Sequence, residues 1–290
     1  LTLLIQSASA QSQQCEPSWS SLGSGTNDEI SAIVVHNGFL VVGGKFTTAG
    51  GEPANYIARW NGAQWQTLGG GLPEPVASLA VYNGDLYAGT IDGGGVAGGG
   101  LNSTVARWNG TSWSAVGGGV FGSVHALAVY NNTLVATGTI TDAGGVPVNR
   151  IAQWNGSQWQ GLGSGLNNAG EALAVFNNDL FVTGLFQQAG GVPASRIARW
   201  DGVKWYALGS GLSDRGSALA VFNGRLIVGG AFQTAGGQAA SRVAQWTGTQ
   251  WLPMGTGMNN EVFSFGLYDG SLFAGGEFTM IGGQMAPYLA

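Results

Sequence analysis

Charge is what this chain has least of. Only 9% of its 290 residues are Asp, Glu, Lys or Arg, against ~25% in an ordinary soluble domain. Cysteine occurs once, so a disulfide framework is excluded, because bridges need pairs. Histidine occurs twice, as His36 and His125, and no His-x-His, His-Glu-x-x-His or Cys pair offers zinc or copper a site. No apolar run reaches the ~18 residues of a membrane helix. The ten Lys and Arg are spread thinly and the formal net charge is −5, which argues against nucleic acid or an anionic membrane as a partner. Disordered chains combine high charge with low hydrophobicity, and this one is 44% apolar. Glycine fills the gap left by charge, with 53 residues, but in clusters rather than at every third position as in collagen.

What is present is a ladder. Trp19, Trp65, Trp113, Trp159, Trp205 and Trp251 follow one another at 46, 48, 46, 46 and 46 residues. A second ladder, Trp60, Trp108, Trp154, Trp200 and Trp246, precedes the last five by five residues each. Each unit reads alike: an apolar segment such as Leu79–Tyr82, an Asn-Gly or Asn-Asn step, a second segment such as Leu40–Gly44, a Phe-Thr-Thr-Ala-Gly-Gly-type link, then Ile57–Gly62 and Trp65–Leu68. Segments this short, rich in Val, Ile, Leu and aromatics, read as strands. Asn-Gly between two such runs is a hairpin signal, because both turn residues need φ > 0. Each unit is therefore expected to hold two tight hairpins, or four strands. The apolar positions do not alternate cleanly, so both faces of each small sheet should be covered by neighbours.

Four strands per ~40–50-residue repeat is the pattern of a β-propeller. The Gly43-Gly44 doublet, Trp60 and Trp65 resemble kelch-type repeats. The longer pattern, Ile-Ala-Arg-Trp-Asn-Gly through Leu-Gly-x-Gly-Leu and Val-Gly-Gly-x-Phe, is closer to the repeats of the fungal cortical cell-polarity marker family, which secreted bacterial proteins also carry. That resemblance spans Trp19 to Ala290. It implies a propeller in an extracellular or surface setting and supplies no catalytic residues.

Five complete units run from Ile33 to Met254. A sixth is expected to have strands at Val262–Tyr268, Ser271–Phe278 and Pro287–Ala290, with its fourth supplied by the segment Trp19–Leu22. The expectation is an all-β, six-bladed propeller closed by that N-terminal strand, with seven blades kept open. Residues 17–290 form the single domain, 11–16 a linker, and 1–10 the remnant of a signal peptide, because apolar Leu1–Ile5 precedes the small run Ser7-Ala8-Ser9-Ala10. Both ends read as cut from a longer frame, so the chain is expected to be a monomeric disc or part of a larger secreted protein. The unpaired Cys15 carries no chemistry. The link Ile91–Gly100 is longer than the Phe-Thr-Thr-Ala-Gly-Gly form, lacks its Phe, and is expected to be the most mobile.

A feature repeated in every unit serves every unit, so the eleven Trp read as packing rather than as sugar platforms. Arg59, Arg107 and Arg199 share a slot with Gln153 and Gln245, which points to hydrogen bonding or stacking rather than charge. Functional residues favour the longer loops of a rigid scaffold. The propeller resemblance places the residues before each unit's first strand at the mouth of a central channel. Those slots vary while the framework does not: Asp28 and Glu29, Glu74, His125, Glu171, Asp214 and Arg215, and Glu261. They hold six of the fifteen acids. Three functions compete for them: a non-enzymatic module binding a glycan, protein or surface component; a lyase- or hydrolase-type enzyme, for which His125 with Arg215 is the candidate set; and a scaffold stabilised by calcium through Glu171 and Glu261, since oxygen-only ligands suit calcium. The first is preferred, with no cofactor. Six carboxylates around one mouth would favour a cation or a donor-rich ligand such as a sugar.

Overall fold

A computed structural model describes residues 20–91 and 103–290. The signal-peptide remnant, Cys15, Trp19 and the link at 92–100 lie outside the described residues. All regular structure among those described is β. Five four-stranded antiparallel sheets follow one another along the chain. The first comprises Ile30–His36, Phe39–Gly44, Ile57–Trp60 and Trp65–Thr67, hydrogen-bonded in that order. The other four repeat it from Val76, Val124, Gly170 and Gly216. A sixth sheet has two strands, Val262–Tyr268 and Ser271–Gly276. Its expected third strand is reduced to a bridge between Gly275 and Leu289, with Gly276 N–H donating to Tyr288 at 3.1 Å.

The first strands of successive sheets lie side by side, so each sheet packs its faces on the sheets before and after it. This explains the missing alternation: Leu134–Gly138, a second strand, is buried along its whole described length after Thr133. The core is accordingly a series of inter-sheet layers. One joins Tyr82 and Tyr87 of the second sheet to Leu134, Ile140 and Trp154 of the third.

The inner hairpin behaves as the sequence implies. Asn37, Asn83 and Asn223 have φ of 50°, 51° and 47°, and the glycine after each is also left-handed. The outer hairpin does not. Trp60 pairs directly with Trp65, leaving a four-residue loop rather than a two-residue turn. The Asn61 side chain closes it by accepting the Ala63 and Gln64 amides at 2.9 and 2.8 Å. The Phe-Thr-Thr-Ala-Gly-Gly link is more ordered than a loop. Thr48–Ala49 pairs with Glu52–Pro53, and Phe46, Phe186, Phe232 and Phe278 are fully buried beneath the corresponding links.

The two Trp ladders build the outer rim. Within each sheet the two indoles sit 5.2 to 5.6 Å apart, tilted or edge-on. The second Trp of each pair also reaches the preceding unit. Trp113, Trp159, Trp205 and Trp251 donate Nε1–H to the carbonyls of Leu68, Val116, Leu162 and Leu208 at 2.9 to 3.0 Å. Trp65 does the same to Leu22 at 2.8 Å, so Leu22 stands where an outer strand of a preceding unit would end. Ser20–Leu22 itself pairs with no strand, and no closed ring is formed among the described residues. The Arg slot is partly electrostatic, contrary to expectation. Arg107 and Arg199 pair with Asp85 and Asp179 at 2.6 and 2.9 Å, whereas Arg59 stacks 4.2 Å from the Phe39 ring centre.

Candidate functional site

The segments that enter the first strands share one end of the sheets, and side chains clamp them there. Asn27 Oδ1 accepts the amides of Thr47 and Thr48, both at 2.9 Å. Asn167, Ser213 and Asn259 repeat the clamp on their own links. The residues beyond each clamp are therefore presented by a rigid base.

Two interactions between neighbouring sheets stand out on that base. His125 of the third sheet places Nδ1 3.0 Å from Glu171 Oε2 of the fourth and 3.2 Å from the Gly170 carbonyl. With two acceptors at Nδ1, that nitrogen carries the proton and Nε2 faces away. Both side chains are about three-quarters buried. The hydrogen bond that His125 donates to Glu171 outweighs desolvation and raises the His125 pKa above its ordinary 6.5. In the second interaction, Arg215 of the fifth sheet donates Nη2–H to Glu261 Oε1 of the sixth at 2.6 Å and Nε–H at 3.1 Å. Ser217 Oγ donates to the same oxygen at 2.7 Å.

The other expected residues stay apart. Glu29 pairs with Lys45 at 2.8 Å within its own sheet, and that hydrogen bond is the main cause of its lowered pKa. Asp28 and Asp214 accept the amides of Glu29 and Arg215, each at 2.7 Å. Asp214 also comes within 4.0 Å of Arg196. Of the six expected acids, Glu29, Glu171, Asp214 and Glu261 are thus each within 4.0 Å of a basic side chain, and Asp28 and Glu74 have no ion-pair partner among the described residues. Glu171 and Glu261 each have their own donors, with the fifth sheet between them. Among the described residues no three His, Cys, Asp or Glu gather as metal ligands would. His125 and Arg215 stand two sheets apart, each held by a different carboxylate.

Sequence reasoning missed Lys45, Ser217 and Arg196. Ser217 was legible in one respect: Ser31, Ala77, His125, Glu171, Ser217 and Phe263 occupy the same strand position in the six sheets, and only the two serines share a residue type. A concavity of about 280 Å³ lies at the opposite end between the second and third sheets, bordered by Tyr82, Asp85, Tyr87, Arg107 and Trp154. Its tyrosines are only 2% and 3% exposed, so it presents no open ring for stacking.

The fold compares with known proteins as a β-propeller. Residues 37–61 match the family model described as a domain of unknown function (DUF5122) beta-propeller. No curated protein sequence matches the chain. Among solved structures it is similar to the computationally designed Ika8 protein, at 18% identity and a TM-score of 0.56, over 91% of this chain and 74% of that one. It is similar to YjhT at 16% identity and a TM-score of 0.54, over 93% of this chain and 96% of that one. It also resembles the extracellular domain of the hybrid two-component system BT4673 of B. thetaiotaomicron, at 10% identity and a TM-score of 0.59, over 87% of this chain and 32% of that one. Identities at this level speak to fold alone.

Proposed function

We propose that this propeller is a secreted or surface-exposed, non-enzymatic binding module that recognises a glycan through the mouth built around His125, Glu171, Ser217, Arg215 and Glu261. One observation carries the reading: the buried strand positions repeat from sheet to sheet, whereas the bulge position at this rim changes among Ser31, Ala77, His125, Glu171, Ser217 and Phe263. An imidazole–carboxylate pair and a guanidinium–carboxylate pair at separate junctions suit a ligand dense in hydroxyl donors and acceptors. The extracellular setting is supported by the BT4673 domain and by the signal-like sequence at residues 1–10. Among the described residues no helix is long and apolar enough to cross a membrane. The scaffold is taken as six-bladed, its sixth sheet completed by Trp19–Leu22; the Trp65 bond to Leu22 supports this, because it repeats the bond each later unit makes to the outer strand before it.

A glycan array with the wild-type chain and the Glu171→Gln, Glu261→Gln double variant tests the proposal. Binding that the double variant loses while still melting cooperatively with the wild-type circular-dichroism spectrum is the expected result. An array without binding, or binding indifferent to both carboxylates, overturns it.

A further inference from the structure

The third and fourth strands of each complete sheet set one pair of long side chains opposite each other, with a single exception. The pairs are Arg59 with Gln66, Arg107 with Ser114, Gln153 with Gln160, Arg199 with Tyr206 and Gln245 with Leu252. Only Ser114 is short, and Ser114 borders the concavity of about 280 Å³ between the second and third sheets. The fourth sheet shows what fills the same place elsewhere. There Arg199 pairs with Asp179 at 2.9 Å, and the Tyr206 ring centre lies 4.4 Å from the guanidinium carbon. The Tyr206 hydroxyl donates to Asp201 at 2.9 Å. The second sheet repeats the floor of this arrangement without the ring. Arg107 donates Nη2–H and Nε–H to Asp85 Oδ2 at 2.6 and 2.8 Å, which fixes the guanidinium plane. Its side chain is 48% exposed, against 36% for Arg199 under Tyr206.

A second observation points into the same space. The residue beside the Arg or Gln on the second strand is Val41, Val135, Phe181 or Ile227 in the other complete sheets, and Tyr87 here. Tyr87 is 3% exposed and lines the concavity, yet its hydroxyl has no hydrogen-bond partner among the described residues. Burial pushes its pKa up, so the hydroxyl keeps its proton and is a donor. A buried donor without a partner is costly unless something in the cavity accepts it.

We propose that the second sheet carries a binding site for a neutral phenol, its ring stacked on the Arg107 guanidinium above Ser114 as Tyr206 stacks on Arg199. The size agrees, because a cavity of about 150 Å³ already admits a benzene ring. The guanidinium face attracts an aromatic ring through its π electrons, and Asp85 has already neutralised its charge, so neither an anion nor a cation is called for. The Tyr87 hydroxyl donates to the oxygen of the ligand. This site lies at the end of the sheets opposite the mouth and is independent of the glycan reading.

The test uses p-cresol, the side chain of tyrosine as a free molecule, on the full chain. Binding is read by saturation-transfer NMR, and its place by the Nε–H resonances of Arg107 and Arg199. The wild-type chain should bind p-cresol in the millimolar range and shift the Arg107 resonance upfield, with Arg199 unmoved. The non-aromatic analogue trans-4-methylcyclohexanol should bind about tenfold more weakly. Ser114→Tyr, which supplies the missing ring, should abolish binding. Tyr206→Ser should open a second site, so that p-cresol now shifts Arg199 as well. Arg107→Gln, which puts here the residue found at Gln153 and Gln245, should weaken binding without refolding the sheet and serves if Ser114→Tyr loses the wild-type circular-dichroism spectrum. No binding by the wild-type chain, equal binding of the cyclohexanol, binding that survives both substitutions at Ser114 and Arg107, or an unmoved Arg199 in Tyr206→Ser overturns the proposal. None of these outcomes depends on the glycan array.

Discussion

Trp205 is buried against Trp200, and its indole N–H is the only part of it that needs a polar partner; the Leu162 carbonyl of the preceding unit supplies one at 2.9 Å. Trp205→Phe keeps most of the ring and strands that carbonyl, so it should cost about 1–3 kcal/mol, read from denaturant unfolding. Trp205→Ala removes the packing as well and should cost about 3–5 kcal/mol. A Phe variant as stable as wild type would show that the bond contributes nothing. His125 gives a pH-dependent counterpart. Its pKa is raised in the folded state, chiefly by the hydrogen bond it donates to Glu171. The folded chain therefore binds that proton more tightly than the unfolded chain does. The stabilisation is complete below the ordinary imidazole value and is lost as pH rises through the raised one. The melting temperature of wild type should exceed that of His125→Gln most near pH 5.5, and the gap should narrow by about pH 8.5. A gap that widens with pH would contradict the pairing. The packing role of Trp was readable from its spacing, since a function confined to one site has no reason to recur at 46 residues. The partners of His125 and Arg215 were not, because they lie one repeat away on another sheet and nothing in local pattern links them.

Strand by strand, the sequence discloses the inner hairpins best, because Asn-Gly states a backbone requirement that side-chain context cannot override. The outer hairpins carry the same dipeptide yet fold differently. Trp60 against Trp65 sets the register, and cross-strand aromatic packing prevails over the preferred turn. The links beneath which Phe46 and Phe186 are buried read as loops only because a two-residue ladder is too short to leave a periodic signature. At the same scale, facing positions of neighbouring sheets obey a size rule, Gly43 against Val76 and Thr137 against Gly170, which is visible in sequence only once the register says which positions face. It makes a clean prediction at the first junction. Gly43→Thr should be destabilising by about 1–3 kcal/mol through overpacking against Val76. Val76→Gly should be destabilising through the space it vacates. The double variant should recover a large part of both, with a coupling of about 1–3 kcal/mol. Additive losses in a double-mutant cycle would show that the size rule is coincidental.

For the molecule as a whole, the repeat number, the all-β class and the inter-sheet core follow from two Trp ladders and the absence of alternation. Ring closure could not be read there, because it depends on how each junction's small rotation accumulates over six sheets, a quantity no single motif encodes. The division of labour does follow from repetition: identical parts hold the scaffold, and unlike parts at one rim are left free to recognise something. That division is the claim to test. Hydrogen exchange should be compared between the free chain and the chain saturated with a glycan found on the array. The account predicts new protection confined to the mouth segments 27–31, 73–77, 123–126, 167–171, 213–217 and 259–263. Protection centred instead on the Asn-Gly turns at the opposite end, or on the outer strands that carry the Trp ladders, would contradict it.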